Sequence, residues 1–313
     1  MGLAQERGAR TLADLVELAA PRARRLHAKR SLVAGAPSRP GVYVFRGRGG
    51  IALYVGRARD LRARLRSYFA GGRQRPAVEA ALGALEEVEW RETGSELEAA
   101  LEELRLLRDL RPPANARGTR PDRHAYLRRR GARWGVTTDP TPIGPLPGRR
   151  LAQLAARALD GHDADDVAAA LPPLRDRMRR LAREQRFEDA ARLRGRLEGL
   201  EEAVIALREL ERLRSLRACV AVPALEPGFV RAHALAGGRI AAVRVVPRGV
   251  GAVHEAAALV AEAQRVALSR APEDADELRL VGSFLRRPPP ELRVAALEVA
   301  AICALVEGLP LAA

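Results

Sequence analysis

Residues 40–69, PGVYVFRGRGGIALYVGRARDLRARLRSYF, decide how this chain reads. Residues 41–45 and 51–55 are short runs of β-branched and aromatic side chains separated by Gly47, Gly49 and Gly50, the pattern of a β-hairpin. Asp60 stands where an N-cap belongs and opens a helix whose Leu61, Leu65 and Phe69 recur at four-residue spacing. Working outward, residues 88–93 predict a third strand. Ser95 and Glu98 have capping-box spacing ahead of a helix with Leu97, Ala100, Leu101, Leu104 and Leu107 as its apolar stripe, and Pro112 and Pro113 end it. The expectation is a small antiparallel sheet flanked by helices.

Further out the signals are weaker. Residues 12–29 predict a helix with Leu12, Leu15, Leu18 and Ala19 on one face, merging into a basic cluster between Arg22 and Arg30. Residues 117–170 are rich in Arg, Pro, Gly and Ala with little periodicity and read as a linker with some helix near 150–158. Residues 171–213 are helical with a break at Gln185 and Arg186. Beyond them come apolar runs at 218–224 and 229–235, a Gly237-Gly238 turn, a strand at 240–246, two helical patterns and a last β-type run near 292–298. The division is an N-terminal helix and basic segment (1–35), the sheet-and-helix domain (36–118), a linker (119–170), a helical hairpin (171–213) and a C-terminal small α/β domain (214–313). The fold class is α+β, and no internal repeat is visible.

Composition narrows the function. The 313 residues are enough for two or three domains of roughly 100 to 150 residues each. No uncharged apolar run approaches the ~18 residues of a membrane span, and no signal segment is visible, so a soluble, cytoplasmic protein is expected. Cys219 and Cys303 are the only cysteines, too few for a zinc cage or a disulfide framework. Of the formal +15, nearly all falls in residues 1–135, with 28 Lys or Arg against 15 Asp or Glu; residues 136–313 carry 26 against 24. A basic balance confined to one region is the footprint of a polyanionic partner, because each neutralised phosphate releases counterions.

The residues that carry chemistry lie in that basic region. Pro40-Gly-Val-Tyr43, Tyr54-Val-Gly56, Arg57, Arg64, Tyr68, Glu103 and Asn115 follow in order, within the strings YVGRARDLRARLRSYF, SELEAALEELRLL and PPAN. This set closely resembles the GIY-YIG nuclease family, in particular the N-terminal domain of the UvrC/Cho type. The resemblance implies a metal-dependent DNA endonuclease of nucleotide-excision-type repair making a single incision. Phosphodiester hydrolysis needs an activated water and stabilised charge at phosphorus and the leaving oxygen. The family would give water activation to Tyr54 or Tyr43, with the phenolate favoured by nearby cations; Arg64 and Tyr68 could both point at the phosphate, and Arg57 and Asn115 complete the catalytic set. Glu103 would hold one divalent ion, Mg²⁺ or Mn²⁺. Arg64 and Tyr68, four apart, share a helix face, and Glu103 falls at the rim of the apolar stripe. Arg57 stands where the family usually has Lys, and Ala114 where it has Tyr. Two other readings share these residues: a catalytically weak DNA- or UvrB-binding protein, and a UvrB-independent structure-specific nuclease.

Residues 171–205, with Leu174, Met178, Leu181, Ala182 and the string FEDAARLR at 187–194, resemble the UVR motif, a helical hairpin that docks on a matching hairpin in UvrB. Ala190 and Ala191 allow close helix approach, Phe187 can anchor the turn, and these three with Arg194 are the candidate partner-binding residues. Residues 214–313 are weakly similar to the region that follows the motif in UvrC. The four cysteines that usually hold an iron–sulfur cluster in UvrC have no counterpart here, so no cluster is expected. No counterpart of the second nuclease domain or helix-hairpin-helix tail of UvrC is expected either, and the resemblance then implies only the incision 3′ of a lesion. DNA and UvrB are the expected partners, with no membrane involved.

Overall fold

A computed structural model of the protein describes residues 28–70, 72, 74–115, 124–162, 166–268 and 274–309. The helix expected over 12–29 lies outside the described residues except for its last two positions.

Three strands form the first sheet. β1 (Gly41–Arg46) is central, with β2 (Ala52–Ala58) and β3 (Glu87–Glu92) antiparallel on either side. Gly49 and Gly50 turn the β1–β2 connection at φ values of 70° and 76°, a region that glycine enters without a Cβ penalty. Helix α1 (Leu61–Tyr68) starts at Asp60, whose carboxylate accepts the Ala63 amide at 2.8 Å, and buries Leu61, Leu65 and Tyr68. Phe69 is buried just past its end. Helix α2 (Pro76–Gly83), with proline in its first turn, was not foreseen from the sequence. Helix α3 (Glu96–Leu110) is capped by the Ser95 hydroxyl, which accepts the Glu98 amide at 3.2 Å; the reciprocal Glu98 carboxylate reaches the Gly94 amide at 2.9 Å.

The apolar side of α3 does not point only at this sheet. Leu97 joins Val220, Val222, Leu235, Val281 and Leu292 in a core shared with the C-terminal unit, with Leu101 packed against it. That unit is a four-stranded antiparallel sheet in the order β8-β7-β6-β9: β6 (Ala218–Pro223), β7 (Phe229–Ala236), β8 (Arg239–Pro247) and β9 (Arg293–Ala296). Strand β6 is buried along its whole length because both its faces are covered. Cys219 and Ala221 face a core with α7 (Ala252–Leu268) and α9 (Val299–Gly308), whereas Val220 and Val222 face the core with Leu97 and helix α8 (Ala275–Arg286). The sequence reading ended at the last strand and missed α9; its run VAAICALVEG is apolar almost all round and shows no helical stripe.

The linker read at 119–170 is corrected by the structure. Strands β4 (Tyr126–Arg130) and β5 (Arg133–Thr137) make a hairpin, and α4 (Arg149–Leu159) packs beside it. Their apolar residues are few: Leu127 and Trp134 from the hairpin, and Leu151, Ala152, Ala155, Ala156 and Leu159 from α4. Helix α4 is amphipathic, its leucines and alanines buried opposite the arginines, and it coincides with the helix expected near 150–158; the hairpin is what the linker reading did not contain. Helices α5 (Leu171–Arg183) and α6 (Phe187–Ser215) form a helical pair, turned at Gln185 with φ 58°. A Cβ on Gly199 of α6 would lie 2.5 Å from the Leu154 Cβ of α4, so these helices meet at glycine distance.

Helix α8 links the units. Gly282 on α8 packs on Leu213 of α6, where an added Cβ would meet the leucine at 2.7 Å, and Leu278 packs with Leu210 and Leu213. From the other side, Arg108 of α3 makes two bonds of 2.5 and 2.7 Å to Asp274, the N-cap of α8. Gly94, at the turn before α3, lies against the backbone of Pro223 and Ala224, leaving no space for a side chain. Among the described residues no helix is long and apolar enough to cross a membrane.

Candidate active site

The first sheet and α1 gather three of the chain's four tyrosines. Tyr43 on β1, Tyr54 on β2 and Tyr68 on α1 pack with Phe45, with ring centroids 5.1 to 6.4 Å apart. The register makes this possible: Tyr43 stands opposite Gly56, and a Cβ there would lie 2.4 Å from the Tyr43 hydroxyl oxygen. Tyr43 and Tyr68 share a hydrogen bond of 2.7 Å between hydroxyls, and the Arg64 guanidinium donates to Tyr68 Oη at 3.0 Å. The same guanidinium stacks 4.6 Å above the Tyr68 ring, so the i, i+4 pairing of Arg64 and Tyr68 is present in space.

These hydroxyls titrate differently from the sequence expectation. Burial pushes Tyr43 up to about 12; the neighbouring Tyr54 adds to the rise, while the Tyr68 hydrogen bond and Arg64 oppose it. Tyr68 is raised as well, again chiefly by burial. A standing phenolate at Tyr43, favoured by nearby cations, is therefore a correction to make: one guanidinium does not offset the loss of water around the ring. Arg64 itself holds its proton more tightly; burial works against this, and the hydrogen bond and charge of Tyr43 outweigh it.

Arg57 on β2 and Glu103 on α3 form an ion pair. The Arg57 Nε lies 3.0 Å from Glu103 Oε2, with side chains 40 % and 25 % exposed. Burial raises the Glu103 carboxyl above its usual range, and Arg57 pulls it back. Its neighbour Glu102 points to other partners, Arg91 at 2.6 Å and Arg105 at 2.7 Å, and is held below the usual range by Arg105. Asn115 sits at the outer edge of β2, where its carboxamide accepts from the Val55 amide and donates to the Val55 carbonyl, both at 2.8 Å. It acts as one more strand partner and holds the backbone between Tyr54 and Gly56. The structure thus brings Tyr43, Tyr54, Arg64 and Tyr68 into one group, with Arg57 and Glu103 beside one another and Asn115 as a positioning residue for β2.

Residues no local pattern pointed to complete the surroundings. A cleft of about 390 Å³ opens beside Arg57, lined on one side by Arg59 and Glu96 and on the other by Phe284 and Arg287 at the end of α8. The Arg57 guanidinium lies 6.0 Å over the Phe284 ring. Phe284 is more than two hundred residues away in sequence, and only the docking of the C-terminal unit brings it here.

In the helical pair, the proposed partner face separates. Phe187 is 65 % exposed, and Ala191 and Arg194 are exposed with it at i, i+4 and i+7; Ala190 is buried against the protein's own core. Phe187 does not anchor the turn, because it starts α6 on the side away from α4. Close approach rests on Ala190 and Gly199 instead of the Ala190-Ala191 pair.

A tyrosine cluster on a three-stranded antiparallel sheet, with Arg64 presented from the flanking helix, agrees with the GIY-YIG resemblance of the sequence. Residues 39–116 match the family described as the UvrC-like GIY-YIG domain, and residues 170–203 match the UvrB/uvrC motif. A Mycobacterium tuberculosis protein named as a bifunctional exonuclease/endonuclease is 29 % identical over 327 residues, covering 83 % of this chain and 50 % of the relative. The UvrABC system protein C of Desulforudis audaxviator is 48 % identical over 79 residues, covering 25 % of this chain and 13 % of the relative. Among solved structures, the GIY-YIG N-terminal endonuclease domain of Thermotoga maritima UvrC, bound to magnesium, shares 33 % identity over 29 % of this chain and 97 % of that one, with a TM-score of 0.26. The match to the UvrC-like GIY-YIG domain is confined to residues 39–116. The chain spans half or less of the length of these full-length relatives.

Proposed function

We propose that the protein is a metal-dependent DNA endonuclease that makes a single phosphodiester cut in nucleotide-excision-type repair. The observation that carries this reading is the Arg64–Tyr68–Tyr43 hydrogen-bonded array inside a UvrC-like GIY-YIG domain, whose α3 carries Glu103 paired with Arg57 of β2. Glu103 fits a magnesium-type ion: such ions keep most of their waters and take one or two carboxylates plus substrate phosphate, and Glu103 is a half-buried carboxylate with one cationic neighbour. Among the described residues no group of three or more His, Cys, Asp or Glu could cage a metal without substrate. When bound, the ion supplies charge stabilisation at the leaving oxygen. Arg64, beside Tyr68 on α1, would hold non-bridging phosphate oxygens. Tyr43, protonated at neutral pH, donates or relays a hydrogen bond, and Tyr54, after passing its own hydroxyl proton to solvent, takes the proton of the attacking water.

The α5–α6 pair supports UvrB as partner through its exposed Phe187, Ala191 and Arg194 face. A binding protein with weak catalysis is the second reading, favoured by the Arg57–Glu103 ion pair, which competes with a metal for the carboxylate. Nicking of supercoiled plasmid with Mg²⁺ or Mn²⁺ separates the two: open-circle product that needs the metal supports the endonuclease, and none at enzyme excess refutes it.

A further inference from the structure

We infer that the end of α8 supplies the far wall of a phosphodiester-backbone subsite, with Arg287 of the C-terminal unit and Arg59 of the GIY-YIG domain facing each other across the cleft beside Arg57. This deepens the nuclease reading and rests on it. The charge of the cleft comes first: three guanidiniums, Arg57, Arg59 and Arg287, line it against one carboxylate, Glu96, with Arg57 also paired to Glu103. Arg59 is extended and largely in solvent, tied only loosely to Glu96 at 3.3 Å. A basic residue after the last turn of a helix ordinarily answers the helix dipole. Arg286 can meet that need here and pairs with Glu209 at 3.2 Å, while Arg287 lines the cleft.

The second observation is how firmly the wall is held. Val281, one turn before the cleft, is buried in the core with Leu97 of α3; Gly282 is pressed on Leu213 of α6; and Asp274 at the other end of α8 is gripped by Arg108. After Arg287 come Pro288, Pro289 and Pro290, whose fixed φ restricts the chain leaving the cleft. An arginine presented from so constrained a segment loses little freedom when it meets a phosphate. The aromatic ring of Phe284 floors the cleft under Arg57, so the subsite offers a cationic rim over an apolar base, a combination that suits a sugar-phosphate strand. The C-terminal unit is on this reading part of the DNA-binding surface and not only a scaffold.

The test measures affinity of the full chain for a labelled DNA duplex in EDTA, where no cutting interferes, across a salt series. Arg287→Ala should weaken binding several-fold near 0.1 M salt and make the slope of log K against log salt shallower by about 0.9, the effect of one lost phosphate contact. Arg287→Lys should restore the slope, and Arg265→Ala, an exposed arginine on α7, should leave both quantities at the wild-type value. Equal affinity and slope for Arg287→Ala and wild type overturn the inference, whatever the plasmid assay shows. Loss of affinity in Arg287→Ala together with no metal-dependent nicking by wild type upholds the subsite and overturns the nuclease reading.

Discussion

Replacing Glu103 by Gln separates a metal ligand from an ordinary helix carboxylate. The change keeps size and helix propensity and removes one charge. Its structural cost is bounded by the single ion pair it breaks: Arg57 to Glu103 at 3.0 Å, with the arginine 40 % exposed and therefore screened. Such pairs are worth about 1 kcal/mol or less, so the unfolding midpoint should move by a few degrees at most. The catalytic cost, if Glu103 holds the ion, is of another order. A loss of 100-fold or more in metal-dependent nicking corresponds to at least about 2.7 kcal/mol of transition-state stabilisation. DNA affinity measured in EDTA should hold or rise slightly, since the phosphate backbone meets one fewer negative charge. Glu102→Gln is the matched control, one residue away on the same helix and engaged with Arg91 and Arg105. It breaks more ion pairs than Glu103→Gln yet should nick plasmid within about two-fold of wild type, because its carboxylate is held by Arg91 and Arg105 and does not touch Arg57. Equal nicking rates for the two variants at equal folded fraction would refute the assignment.

Gly56→Ala places a methyl group 2.4 Å from the Tyr43 hydroxyl oxygen, inside a fully packed cluster; overpacking of this kind costs about 1–3 kcal/mol, and circular dichroism melts with nicking rates should show both a lower midpoint and a loss of activity. His233 on β7 is fully buried, and burial lowers its pKa to about 4 against the usual 6.5. A depressed histidine favours the folded state above the unfolded value, so this contribution, about 3 kcal/mol in total, is complete above pH ~6.5 and lost as pH falls toward 4, about 2 kcal/mol of it by pH 5. Urea titrations at pH 7 and 5 should show that extra loss in wild type and not in His233→Leu. Phe187→Ala should leave stability within about 0.5 kcal/mol, because the ring is 65 % exposed. Association with UvrB, measured by calorimetry, should weaken by about 2 kcal/mol, or roughly thirty-fold; an unchanged affinity would remove that face from the interface.

The elements read correctly from sequence are those specified by neighbours. The β1–β2 hairpin follows from glycines between two β-branched runs, α1 from Asp60 and its four-residue spacing, α3 from Ser95 and Glu98, and the break between α5 and α6 from Gln185 and Arg186. Each rests on hydrogen bonds or dihedral preferences spanning a few residues, and such terms are written into local order. The tyrosines, Arg64 and Glu103 were legible as a set because their spacing in sequence matches a known family, although their titration was not: Tyr43 rises to about 12 because a whole core excludes water from it, and no local pattern records that. The same holds for the folded unit at 126–159, whose alanines become a core only when Gly199 lets α6 approach. It holds again for Phe187, whose side of the hairpin depends on where α4 packs, and for Phe284 and Arg287, which reach the cleft because Leu97 packs with Val281 and Val222 of the C-terminal unit. A helix with apolar residues on its face does not specify which of two sheets will cover them; burial is non-directional, and the choice belongs to the packing of the whole chain.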